Sequence, residues 1–273
     1  MPDRYQFIDH LGRGGFGKIT LFYDTIGKKK VVQKSLLNPT EDNCKRLIRE
    51  GKLYMLLSQE QHIVDLLAYR FDYSDPCLII PYYEEGTLEK SVGNRNWYDS
   101  ILFVQHGAVG LRGLHALGGI HRDVKPSNMF IDKRADGKKF VRLGDFGLGR
   151  VPQPFTNSTM TAHACGTPEY IAPELYMPNP KFTPACDIYS LGVTGIELIT
   201  GSRKRESIKE IWINNDVTQL LLEMTSWTPG ARPDAATVVA RIREIVSTYD
   251  KNFSTAVKWG LGLLGVGLLL KNS

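Results

Sequence analysis

Cysteine is scarce: the chain has four, Cys44, Cys77, Cys165 and Cys186, none in a CxxC pair and none beside a patterned histidine. That spacing offers neither a zinc site nor a disulfide framework, and it suits a reducing, cytosol-facing compartment. The opening MPDRYQFIDHLG lacks the basic flank and apolar core of a signal peptide, so nothing there is expected to direct export. Internal repeats are absent, and so is any dense block of one charge. Lys and Arg outnumber Asp and Glu by 34 to 29, but they are scattered through Lys28 to Lys30, Lys133, Arg134, Lys138, Lys139 and Arg203 to Arg205. Runs of that kind are solvated turns, and they give no nucleic-acid surface. Only one long apolar run exists, WGLGLLGVGLLL at 259–270. At ~1.5 Å per residue it falls short of a bilayer core of ~30 Å, whereas a start at Phe253 gives a span interrupted only by Lys258. A C-terminal membrane anchor and an apolar packing helix both fit this tail, 251–273.

What is present suffices for a real core: 273 residues, 42% of them hydrophobic, fit one domain with two lobes or two small domains. The first 34 residues read as strands, with Ile19, Leu21 and Tyr23 alternating against Lys18, Thr20 and Phe22. Before them stands LGRGGFG, whose Gly12, Gly14 and Gly17 are spaced to let backbone amides approach phosphate oxygens. Spelling alone is weak, since GLGLLG in the tail matches the same GxGxxG pattern with no strand after it. A third strand, KKKVVQKSL, puts Val32 and Lys34 on one side together. In CKRLIREGKLYMLLS, helical spacing places Leu47, Leu53, Tyr54 and Leu57 on the face that also carries Glu50. A carboxylate on an apolar face needs a cation, and Lys34 is the nearest in the chain.

The stretch IHRDVKPSNMFI brings Asp123 and Asn128 to the start of a β-prone run, and VRLGDFG follows after a turn at Asp136 and Gly137. Residue 136 is midway between Phe130 and Arg142, so an antiparallel hairpin returns Asp145 to the end where Asp123 and Asn128 emerge. Carboxylates and an amide oxygen in that number are hard ligands suited to Mg²⁺ shared with phosphates.

With these residues placed, the chain resembles the eukaryotic-type (Hanks-type) serine/threonine protein kinases from residue 5 to about 247. GRGGFGKI looks like their Gly-rich loop, VVQK like their lysine strand and HRDVKPSN like their catalytic loop, with DFG at 145–147 and APE at 172–174. The resemblance implies an α+β, bilobal fold: a β-rich N-lobe at 1–80 and a helical C-lobe at 81–250. It also implies ATP and Mg²⁺ as cofactors and a protein hydroxyl as acceptor. By the same resemblance Asp123 takes the proton of the attacking hydroxyl, Lys125 and Thr167 assist it, and Asn128 and Asp145 hold the metal. Lys34, braced by Glu50, grips the α- and β-phosphates under Gly12, Gly14 and Gly17. Adenine lies between Leu11, Ile19 and Val32 on one side and Phe130 on the other, beyond a gatekeeper at Ile80, with backbone contacts from Pro81, Tyr82 and Tyr83. Thr156, Ser158, Thr159 and Thr161 follow DFG, and a phosphate on Thr159 or Thr161 would pair with Arg122. Arg232 should pair with Glu174, and the short run between Asp187 and Arg232 should reduce the docking surface there. A binding-only pseudokinase and a small-molecule kinase are the rival readings. No feature of the sequence assigns an oligomeric state.

Overall fold

The computed structural model describes residues 4–13, 17–93, 96–149, 166–210 and 213–258. Five strands, β1 (Tyr5–Arg13), β2 (Gly17–Asp24), β3 (Lys29–Leu36), β4 (Ala68–Arg70) and β5 (Cys77–Pro81), form one antiparallel sheet in the order β1-β2-β3-β5-β4. Gly17 opens β2 because nothing larger fits, a Cβ there lying 2.6 Å from Ser35 O on β3. This glycine therefore serves the strand crossing, whatever it does for a phosphate.

Burial along β2 does not follow the simple alternation expected of it. Leu21 is buried, but Tyr23 is exposed while Thr20 and Asp24 are buried. The buried carboxylate is explained by Arg4, whose guanidinium donates to both Asp24 oxygens at 2.9 and 2.8 Å. That arrangement holds the Asp24 carboxyl far below the usual carboxylate range.

Helix α1 (Glu41–Leu56) packs against this sheet. The side chain of Thr40 accepts from Asn43 N, satisfying one of the first-turn amides. The face expected from the spacing is the buried one, with Leu47, Glu50, Leu53, Tyr54 and Leu57 all inside. Gly51 lets the helix come close: a Cβ there would lie 2.7 Å from Leu78 on β5.

The rest of the described chain is mainly helical, with α2 (Trp97–Ala116), α3 (Pro184–Thr200), α4 (Ser207–Glu210), α5 (Asn215–Met224) and α6 (Ala235–Lys258), plus a hairpin of β6 (Met129–Lys133) and β7 (Lys139–Leu143). Helix α3 is buried nearly throughout, and its Gly192 and Gly195 lie against α5 and the turn after it, so close that a Cβ would meet Thr225 and Leu221. Between α3 and α5 only the single-turn α4 is formed among the described residues, in keeping with the short run noted there. Helix α6 is fixed to the start of α2 by aromatic contacts, Trp97 meeting Tyr249 edge-on at 4.8 Å, and by Tyr98 donating to Asp250 at 3.0 Å. No helix among the described residues is long and apolar enough to cross a membrane, and 259–273 lie outside them.

The hairpin is tied to its surroundings by two stacked histidines, His62 and His106, 4.3 Å apart and 15° from parallel. His62 Nδ1 bonds Val141 O at 2.8 Å, and Val141 N donates to His106 Nδ1 at 3.2 Å. Burial lowers both imidazoles, His106 to about 3, so His106 stays neutral in the fold. The unfolded chain protonates His106 below pH ~6.5 while the folded chain does not, so this group costs stability at ~1.4 kcal/mol per pH unit as pH falls below that point. Burial raises the Glu50 carboxyl, a shift whose pH dependence has the opposite sign. The histidine contribution is therefore read as a difference. Between pH 7 and 5.5, urea unfolding should show wild type losing ~1 kcal/mol relative to His106→Asn. Parallel pH profiles would refute the assignment.

Candidate active site

Lys34 is delivered by β3, opposite Ile19 on β2 and Leu78 on β5. Its ammonium donates to Glu50 Oε1, Glu50 Oε2 and Asp145 Oδ1, each at 2.8 Å. Burial alone would lower the Lys34 ammonium, but the charges of Glu50 and Asp145 outweigh it and hold it above the ordinary lysine range. Burial would likewise raise Asp145, and Lys34 reverses that, keeping the carboxyl below its usual value. The cation demanded by the buried Glu50 is thus the one expected.

The hairpin does return Asp145 to the other group. Phe130 pairs with Arg142 across β6 and β7, and Gly144 N donates to Asn128 O at 3.0 Å just beyond the pairing. Asp123 stands at the same end. Its Oδ1 accepts from Thr167 N at 3.1 Å and Thr167 Oγ1 at 3.0 Å, and its Oδ2 lies 2.8 Å from Lys125 Nζ. Lys125 also reaches Thr167 Oγ1 at 2.6 Å. Thr167 can come this near because Gly166, at φ +126°, crosses where a Cβ would sit 2.7 Å from Arg122 O.

Asn128 donates from Nδ2 to Asp123 O at 2.8 Å and to Asp123 Oδ2 at 3.1 Å. With its N–H groups so engaged, the amide keeps Oδ1 as an acceptor, and this oxygen with the Asp145 carboxylate is a hard donor set fitting Mg²⁺. Among the described residues no cluster of three or more His, Cys, Asp or Glu could hold a metal by itself. An ion that takes most of its ligands from phosphate and water needs no such cluster.

Sequence reasoning treated Asp187 only as a landmark, yet it carries the loop. This fully buried carboxylate accepts from His121 N and Arg122 N, both at 2.8 Å, with His115 Nε2 at 2.9 Å. Those bonds hold Arg122 at φ +70°, a conformation costly for a residue other than glycine, immediately before Asp123. A charged residue inside a run of apolar helical residues was the available signal.

The proposed adenine residues frame an apolar surface less uniformly. Leu11 is exposed, Ile19 and Phe130 are half-buried, and Val32 is buried between its cross-strand partners Leu21 and Ile80 in the sheet. Tyr82 N donates to Lys30 O at 3.4 Å. The ring of Tyr83 is buried against Phe130, with centroids 5.4 Å apart, so only its backbone is offered to a ligand. Gly12 has open space around it, whereas Gly14, Thr156, Ser158, Thr159 and Thr161 lie outside the described residues.

Comparison with known proteins agrees with this geometry. The family described as "Protein kinase domain" matches residues 5–248. Serine/threonine-protein kinase PknK of Mycobacterium bovis is 31% identical over 202 residues, covering 72% of this chain and 18% of that protein. CBL-interacting serine/threonine-protein kinase 21 of Arabidopsis thaliana is 31% identical over 210 residues, 72% of this chain and 47% of the relative. Serine/threonine-protein kinase Nek3 of Oryza sativa subsp. japonica is 30% identical over 200 residues, 70% and 32%. The chain thus spans less than half the length of these relatives. With a kinase-domain match over nearly its whole length and the sheet, helices and paired loops in place, the chain belongs to the protein kinase domain family.

Proposed function

We propose that the chain is an active kinase that transfers the γ-phosphoryl group of ATP to serine or threonine hydroxyls of proteins. The single observation carrying this reading is the carboxylate of Asp123 fixed between Thr167, Lys125 and Asn128. A proton acceptor must be held in one place to act on a hydroxyl, and three neighbours hold this one. ATP with Mg²⁺ supplies the phosphoryl group and neutralises part of its charge. Asn128 Oδ1 and the Asp145 carboxylate would hold the metal, and Lys34, oriented by Glu50, would bind the phosphates. Asp123 accepts the proton of the acceptor hydroxyl. Lys125 places positive charge beside that hydroxyl and beside Thr167, where charge on the transferring group accumulates. The sheet at 1–80 and the helical part at 81–250 would form the two lobes, with adenine beside Ile80 and the backbone of Pro81 to Tyr83.

Retention of Lys34, Asp123 and Asp145 in these contacts weighs against a binding-only role. Arg122 supports regulation by phosphate on Thr159 or Thr161: its Nε is buried and has no hydrogen-bond partner among the described residues. Incubation with labelled ATP and Mg²⁺, alone and with a generic basic protein, tests the reading. Label should appear on the protein substrate and on the chain itself, at Thr159 or Thr161, and disappear with EDTA. Nucleotide binding without any transfer would sink it.

A further inference from the structure

Tyr54 follows Glu50 by one helical turn, and spacing alone makes it a core residue. It is indeed buried at 2% exposure, but its hydroxyl is engaged, accepting a hydrogen bond from the backbone N–H of Asp145 at 2.9 Å. Its ring meets Phe146 edge-on, with centroids 5.0 Å apart, and Phe146 lies 4.9 Å from His121. Helix α1 therefore grips Asp145 twice. Glu50 reaches the carboxylate through Lys34, and Tyr54 reaches the backbone directly.

The second grip meets a real need. Asp145 sits at φ 62°, ψ 68°, in the left-handed region that residues other than glycine occupy only when held. Its neighbours Gly144 and Phe146 are buried, so an amide released here has little access to water. Gly144 is shaped to the contact, since a Cβ at that position would lie 3.2 Å from the Tyr54 hydroxyl and 2.8 Å from Val64. A leucine or phenylalanine could fill the same volume. Neither could accept the N–H.

We infer that Tyr54 is a positioning residue: its hydroxyl fixes the backbone of Asp145 so that the carboxylate stays beside Lys34 and ready for Mg²⁺. The inference rests on the reading of Asp145 as a metal-holding residue.

Tyr54→Phe keeps the ring and removes one oxygen. In the nucleotide-free full chain, the Asp145 amide should exchange with solvent about tenfold faster, a change worth ~1.4 kcal/mol. The gain in ATP affinity on adding Mg²⁺ should shrink by about tenfold, while affinity measured without Mg²⁺ stays within about twofold. Unchanged exchange and an unchanged Mg²⁺ effect would overturn the inference. So would an equal loss of affinity with and without Mg²⁺, which marks a general loosening of α1. Because neither readout needs phosphate transfer, an inactive wild type would sink the kinase reading while leaving this contact tested.

Discussion

Asp123→Asn should reduce phosphate transfer by about 10²–10⁴-fold, the range of a positioned general base, or ~2.7–5.4 kcal/mol in the barrier. The substitution preserves shape but removes the charge proposed to receive the proton. It also forces a choice on the new amide. Thr167 donates twice to Oδ1, which an amide oxygen can still satisfy. The atom then left facing Lys125 at 2.8 Å and Asn128 Nδ2 at 3.1 Å is an NH₂ against two donors. Lys125 should therefore relax from its place as well, and part of the loss belongs to it. Binding of ATP, which we assign to Lys34 and the sheet, should change by no more than a few-fold. Measured kcat under saturating ATP and Mg²⁺ decides the matter. A fall smaller than tenfold would mean that Asp123 is not the base.

Much of this site can be read from the residues because its logic is local. The turn at Asp136 and Gly137 fixes the hairpin register, and Phe130 does pair with Arg142, so the return of Asp145 follows from counting. Glu50 on an apolar face announces an unseen cation, and Lys34 provides it at 2.8 Å. Contacts made across long separations are not written in any window. Asp187 holds Arg122 and His121 from a helix more than sixty residues away, and periodicity reveals only that it is a charge in an apolar run. Tyr54 illustrates the same limit, since helical spacing assigns its ring to the core but says nothing of its hydroxyl. The alternation expected along β2 fails for a related reason. Asp24 can be buried because Arg4 of a neighbouring segment accompanies it, and local pattern does not see the partner.

Arg232→Met should be the most damaging change to stability, costing ~3–5 kcal/mol from a total that is ~5–15 kcal/mol for ordinary domains. The Arg232 side chain is 0% exposed and Glu174 18%. The guanidinium meets Glu174 through two bonds of 2.7 Å and also donates to Ala185 O at 2.9 Å and Ser226 O at 2.8 Å. Methionine fills the volume and satisfies none of these acceptors. It strands a carboxylate in a site where desolvation is no longer offset, and that asymmetry makes removing one partner worse than removing both. Urea unfolding of Arg232→Met, Glu174→Gln and the double variant separates the terms. The double should be less destabilised than the sum of the singles by ~1–3 kcal/mol. Additive losses, or a cost below ~1 kcal/mol for Arg232→Met, would show that the pair is not a structural tie. Its position explains why such a tie belongs there. Glu174 ends the short segment that begins with Thr167, so the buried pair fastens to α3 and the turn before α6 the very backbone that aligns Asp123.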